Sequence, residues 1–217
     1  MKFKTGNLCA TLLCVVAFGG TLPACAPFIL GGAAVSALVA TDRRTSGTQL
    51  EDEGIELRAA GRIRESLGDR AHVNATSYNR QVLLTGEVPN PQDKQLVQQI
   101  VERVENVRAV VNDLSVLGNT SLTQRSSDSL ITGKVKASMV DAKDLYANAF
   151  KVVTERGTTY LMGRVTQREA TRATDITRSI SGVQKVVRVF EIISEDELKH
   201  MLPQPAQPQG QPAQPRM

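Results

Sequence analysis

The sequence predicts an α+β protein made of two tandem copies of one αββαβ unit, each a small mixed sheet covered on one face by two helices. Three observations support this. First, the chain repeats itself: Val82-Leu83-Leu84-Thr85-Gly86-Glu87-Val88 matches Thr159-Tyr160-Leu161-Met162-Gly163-Arg164-Val165, with apolar residues and a glycine in the same places. Second, a later stretch repeats as well, because Val104 to Val111 matches Ile180 to Val187. Third, each copy reads helix, strand, strand, helix, strand, with apolar residues at helical spacing in the helices and turn residues between the strands. The copies span residues 52–117 and 128–194, joined by a polar linker over 118–127.

In the first copy, Ala60, Ile63 and Leu67 mark an opening helix. Val73 to Tyr78 and Gln81 to Val88 read as a hairpin turned at Asn79-Arg80. Asn90 is a suitable N-cap, and Pro91 suits the first helical position because its missing N–H has no helical partner there. Leu96, Ile100 and Val104 then recur at helical spacing, and Asn106 fits a left-handed C-cap. Arg108 to Val116 is the last strand. In the second copy Gly157 serves the hairpin turn, and Thr166 with Glu169 predicts a capping box. Ala173, Ile176 and Ile180 face inward, Gly182 takes the C-cap role, and Val183 to Ile192 closes the sheet.

Ahead of the repeats lies an export signal. Lys2 and Lys4 precede an apolar stretch over residues 8–20, followed by Leu22-Pro23-Ala24-Cys25. That order is the plan of a secretory leader over residues 1–24, and the apolar stretch is shorter than the ~20 residues needed to cross a bilayer. The alternative is an uncleaved anchor over residues 8–40, but Pro23, Pro27, Gly31 and Gly32 make a poor helix of it. The stretch around Cys25 resembles the bacterial lipobox, which implies lipid transfer to the Cys25 thiol. In that resemblance Ala26 points to the outer membrane, and residues 25–51 become the lipidated start and a tether. Cys9 and Cys14 leave with the leader, so no thiol remains for a disulfide or a zinc site. Without Lys2 and Lys4 the chain holds 24 basic and 22 acidic residues, too even a balance to argue for nucleic acid. Residues 195–217 end in a Pro/Gln-rich stretch, Pro203 to Pro215, expected to stay extended and disordered.

The αββαβ order, the glycine after the second strand (Gly86, Gly163) and the Gly182-Val183-Gln184-Lys185-Val186 entry to the last strand resemble the BON domain. The resemblance covers residues 40–194. Thr41-Asp42-Arg43-Arg44 and Gly47-Thr48-Gln49 are similar to the dual-BON outer-membrane lipoproteins. For Gly86 and Gly163 the expected task is close backbone approach rather than ligand contact.

Nothing in the sequence carries catalysis. His72 and His200 lack partner motifs, and Gly133-Lys134 lacks the rest of a phosphate loop. Glu51, Asp52 and Glu53 read as a solvated linker. No catalytic residue, metal ligand or cofactor is expected.

The informative contrast lies between the two opening helices. In the first, the side opposite Ala60, Ile63 and Leu67 carries Arg58, Arg62 and Glu65. In the second, Ile131, Val135 and Met139 form the inward stripe, yet the opposite side holds Leu130, Gly133, Ala137 and Val140, with Lys134 and Lys136 near its edges. A helix apolar on two sides has a second face to cover. Apolar residues edged by lysines fit an anionic membrane surface. The alternatives are docking on the other domain, or an adaptor surface for envelope proteins such as the outer-membrane protein assembly machinery. The resemblance implies binding of anionic phospholipid (phosphatidylglycerol, cardiolipin) through this helix, with contacts at Leu130, Lys134, Val135, Lys136 and Val140. The family has Trp, a stronger interfacial anchor, where this chain has Leu130.

Overall fold

The computed structural model describes residues 42–201; the leader, Cys25 and the Pro/Gln-rich stretch lie outside the described residues. The first unit consists of α1 (Ser46–Leu67), β1 (His72–Tyr78), β2 (Gln81–Val88), α2 (Pro91–Glu102), β3 (Ala109–Asn112) and β4 (Ser115–Val116). The second consists of α3 (Leu122–Asp141), β5 (Lys151–Glu155), β6 (Thr158–Val165), α4 (Gln167–Arg178) and β7 (Lys185–Ile192), and α5 (Glu195–Met201) follows. Each sheet is mixed. β2 runs antiparallel to β1 and parallel to β3 and β4, and β6 runs antiparallel to β5 and parallel to β7.

Local chemistry sets the boundaries. Asn79 and Arg80 both take positive φ in the first hairpin turn, as Arg156 and Gly157 do in the second. Asn90 caps α2 by accepting from Asp93 N, with Pro91 at the start of the helix. Thr166 and Glu169 form the full capping box of α4. Asn106 and Gly182 take positive φ, but in the turns that enter the last strands, several residues past the helix ends.

Several expectations are corrected. Ala59, not Ala60, joins Ile55, Ile63 and Leu67 in the core, because the helix axis is rotated from the expected stripe. Likewise Val97 and Val101, rather than Leu96, are the buried apolar residues of α2. The last strand of the first unit is broken. Asn112 Oδ1 accepts from Leu114 N at 3.2 Å, and Leu114 turns into the core. The linker is half helical, since Ser121 caps α3 from within it. The final segment starts as α5 rather than as disordered chain.

Residues 42–51 are no loose tether. Arg43 forms a two-pronged buried pair with Glu169 of the second unit, at 2.8 and 2.7 Å, and donates to Arg164 O. Arg44 bonds Asp42 and Asp52 and lies over the Tyr78 ring. Asp52 is no solvated carboxylate either. It is buried and accepts from Ser77 Oγ, Asn79 N and Arg80 N, so a helical side chain clamps the first hairpin turn. Asp128 does the same in the second unit, accepting from Arg156 N and Gly157 N. Burial pushes the Asp52 carboxyl up, but the bonds from Ser77, Arg80, Arg44 and Asn79 outweigh it and hold the group below the ordinary value.

The apolar residues form three clusters. Two lie between a sheet and its helices, one centred on Ile55, Leu84, Val97 and Val101, the other on Ile131, Val135, Met139 and Leu161. The third joins Tyr78 and Leu83 of the first sheet to Tyr160, Met162 and Val189 of the second. The sheets therefore pack through the faces their helices leave open. Tyr78 Oη donates to Ala149 O at 3.3 Å and Tyr160 Oη to Asp113 Oδ2 at 2.8 Å, so each unit sends a phenol into the other. Lys151 reaches Glu56 across the same junction, and Arg108 reaches Glu191.

Candidate functional site

The α3 helix buries Ile131, Val135 and Met139 against the second sheet. Its 3.6-residue period then sends Leu130, Gly133, Ala137 and Val140 outward. Leu130 and Val140 are each 68% exposed, and Leu122 is exposed on the same side toward the start of the helix. Lys134 and Lys136 are exposed at the two edges of this arc. The alternative in which the arc docks on the other domain is corrected: the domains meet through their sheets, and the arc stays uncovered among the described residues.

Val135 is fully buried and belongs to the core, so it cannot touch a ligand on this face. Its neighbours Lys134 and Lys136 point elsewhere because one residue is about 100° of turn. Four of the five expected positions, Leu130, Lys134, Lys136 and Val140, thus share one surface. At the far end of α3, Lys136, Met139, Val140 and Phe150 line a groove with Asp42 and Gln49. Cys25 lies outside the described residues.

The contrast with α1 is less complete than the sequence suggests. Leu50 and Leu57 of α1 are also exposed. Glu53 and Arg64 are exposed on that side of α1, whereas the outward arc of α3 is edged by Lys134 and Lys136 and ends at the exposed Asp141.

Gly86, Gly163 and Gly182 act on the backbone. Gly86 has a φ of 110°, and a Cβ there would lie 2.1 Å from His72 O. At Gly163 a Cβ would lie 2.5 Å from Ala149 O. Gly182 turns the chain into β7, with Ile131 packed against it.

One polar cluster was missed by sequence reasoning. His72 and Glu87 are directly opposed across β1 and β2, and His72 Nδ1 lies 3.2 Å from Glu87 Oε2. Thr120 also donates to Glu87 Oε2, through N and Oγ1. From the second unit, Glu155 approaches and accepts from Asn74 Nδ2 at 3.0 Å. Burial above all, with Glu87 and Asp128 adding repulsion, pushes the Glu155 carboxyl up against the opposing pull of His72 and Asn74. The clue lay in Glu87: the one acidic residue of β2, one residue past the glycine that the two copies share.

Among the described residues no helix is long and apolar enough to cross a membrane. Comparison with known proteins places the chain. The BON domain family matches residues 53–118 and 127–194. The outer membrane lipoprotein DolP of Haemophilus influenzae is 41% identical over 174 residues, covering 79% of this chain and 90% of that protein. The 21 kDa hemolysin of Actinobacillus pleuropneumoniae is 30% identical over 154 residues, covering 70% and 79%. Among solved structures, the C-terminal domain of CdsD, a structural protein of the type III secretion system of Chlamydia trachomatis, covers 62% of this chain and 96% of its own at 12% identity. Its TM-score of 0.28 is too low to carry an argument. With two family matches spanning most of the described residues and a relative similar over nearly its whole length, the chain belongs to the BON-domain family as a dual-BON, DolP-like protein.

Proposed function

We propose that this protein is a non-enzymatic lipoprotein, anchored through Cys25 to the periplasmic face of the outer membrane, that binds anionic phospholipid through α3 of its second BON domain and supports envelope integrity. The outward arc of α3 is the observation that carries the reading: Leu130, Ala137 and Val140 face water, edged by Lys134 and Lys136, and among the described residues neither sheet nor neighbouring domain covers them.

The magnitudes suit an accessory contact. Burying an exposed Leu or Val is worth about 1.5–3 kcal/mol, and each lysine near an anionic surface about 1 kcal/mol. For Leu130, Val140 and the two lysines the face then supplies roughly 5–8 kcal/mol, which is weak binding on its own. Acyl chains on one cysteine hold the protein at the membrane, and the α3 face sets how it lies and which lipids it meets.

The test mixes the leaderless Cys25→Ser chain with vesicles containing phosphatidylglycerol or cardiolipin and follows co-sedimentation. Leu130→Asp should lower binding at least about thirtyfold, since it removes roughly 2 kcal/mol of burial and adds a charge the surface repels. Equal binding by both proteins ends the assignment. A stoichiometric envelope-protein partner that co-purifies with the full chain, and is lost in the same variant without any change in vesicle binding, makes the face an adaptor surface instead.

A further inference from the structure

The seam between the two BON domains contains an arrangement that the lipid reading leaves unused. His72 on β1, Glu87 on β2 and Glu155 at the end of β5 bring one nitrogen and two carboxylates together, with donor atoms all within 4.8 Å of one another. Two of the three come from the first domain and one from the second. The Glu87 side chain is fully buried, and its Oε1 accepts no hydrogen bond from the described residues. Buried carboxylate oxygens are seldom left so, because the lost hydration is not replaced. A guanidinium nitrogen of Arg156 stands 3.5 Å from that oxygen, and the arginine side chain is 42% exposed, with room to swing into solvent. Glu155, 8% exposed, adds a second carboxylate with Asn74 as its hydrogen-bond donor. The seam thus brings two buried carboxylates together beside His72, with Arg156 at 3.5 Å and Arg125 held on Thr120 as the nearby cations.

We propose that this seam is a divalent transition-metal site, with His72 Nδ1, Glu87 and Glu155 as ligands and water completing the shell, and that the bound cation ties the two domains together. A mixed imidazole and carboxylate set suits ions such as Zn²⁺ better than Mg²⁺ or Ca²⁺, which prefer oxygen alone. Metal–ligand lengths near 2.0–2.1 Å place tetrahedral donors about 3.3 Å apart. The spacing of 3.2 Å from His72 Nδ1 to Glu87 Oε2 falls near that, and the unpartnered Oε1 of the same carboxylate is the oxygen left to face the cation. Glu155 closes the remaining gap by a side-chain rotation of about 1–2 Å, small against the reach of a glutamate. Arg156 fills the counter-ion role weakly and withdraws on metal entry. Thr120 keeps Glu87 oriented, and Asn74 does so for Glu155, as outer partners of ligands do.

The experiment uses the full-length protein, stripped with chelator and titrated with ZnCl₂ by calorimetry while histidine ring signals are followed by NMR. The chain has two histidines, so the readout is unambiguous. The expected result is one site per chain, a shifted His72 signal with His200 unmoved, and a melting temperature raised by roughly 5–10 °C at a hundredfold excess over Kd. Glu155→Gln, close in shape, should weaken binding at least tenfold while leaving the circular dichroism spectrum unchanged, and Arg156→Gln should keep or tighten it. The proposal is overturned by absence of binding at millimolar Zn²⁺, by a response at His200 alone, or by undiminished affinity in Glu155→Gln. The His72 signal of the unmodified protein still tells the two outcomes apart if a variant fails to fold.

Discussion

Replacing Arg43 by alanine tests whether the residues ahead of α1 are part of the folded body. The guanidinium donates to both carboxylate oxygens of Glu169, at 2.8 and 2.7 Å, and both side chains are nearly inaccessible. Bonds to charged groups contribute about 1.5–3 kcal/mol each, and breaking a buried pair from one side costs about 3–5 kcal/mol because the other charge is stranded. Truncation to alanine also opens a path for water to Glu169, which places the expected loss near 3 kcal/mol. For a folded body of about 160 residues, each kcal/mol moves the midpoint by roughly 2–4 °C, so thermal melting should fall by about 6–12 °C. Urea unfolding of the leaderless chain measures the same quantity directly. The double variant Arg43→Met, Glu169→Gln removes both charges at similar volume and keeps a capping-box side chain at position 169, so it should recover at least half of the loss. A loss under about 1 kcal/mol for Arg43→Ala would show a pair no better than a surface bridge and would overturn this account of the segment.

Glu169, like Asp52, is held below its ordinary carboxyl value: burial raises it, and the bonds from Arg43 and Thr166 N more than offset that. Such groups add stability that is present above the unfolded-state value near 4 and lost as pH falls through the folded one, so urea midpoints should be flat above about pH 5.5, decline below about 4.5, and decline less steeply in Arg43→Ala. Asp52→Ala leaves Asn79 N and Arg80 N without their acceptor and should cost about 3 kcal/mol in urea unfolding, with Asp128→Ala similar; a loss below about 1 kcal/mol for both would end the clamp assignment. Gly86→Ala should prevent folding or cost more than about 3 kcal/mol, because the new methyl collides with a carbonyl. Gly133→Ala, with nothing within 4 Å, should stabilise α3 by about 0.5–1 kcal/mol and leave vesicle binding intact, both readable by thermal melting and co-sedimentation.

The repeat made the fold legible, because two matched glycines and two matched strand entries fix the register of everything between them. The caps at Asn90 and Thr166 were legible for the same reason that they work, a short polar side chain ahead of a helical period. The arc of Leu130, Ala137 and Val140 was also readable from the helical wheel, and its exposure agrees. What escaped was long-range. Asp52 sits within an acidic run that looks solvated, and its partners in the hairpin are 25 to 28 positions away. Its equivalence with Asp128 in the repeat was the available signal. Arg43 finds Glu169 across 126 positions, which no local pattern encodes. The sheet-to-sheet junction had a trace in the unbroken apolar runs Val82-Leu83-Leu84 and Tyr160-Leu161-Met162, since strands wet on one face would alternate.

That junction has a further implication for how such a chain arises. Each sheet lays its spare surface against its sibling: Tyr78, Leu83 and Val111 on one side, Tyr160, Met162, Val187 and Val189 on the other. Severed at Asn119, either half would present a wet, greasy sheet to water and seek a replacement, by pairing with a second half or by precipitating. Duplication therefore did more than add a module; it supplied the lid. The irreducible object is the couple, and divergence of the two helical exteriors, one mixing arginines with acids and the other bearing an apolar arc edged by lysines, became possible because their interiors were already committed to one another.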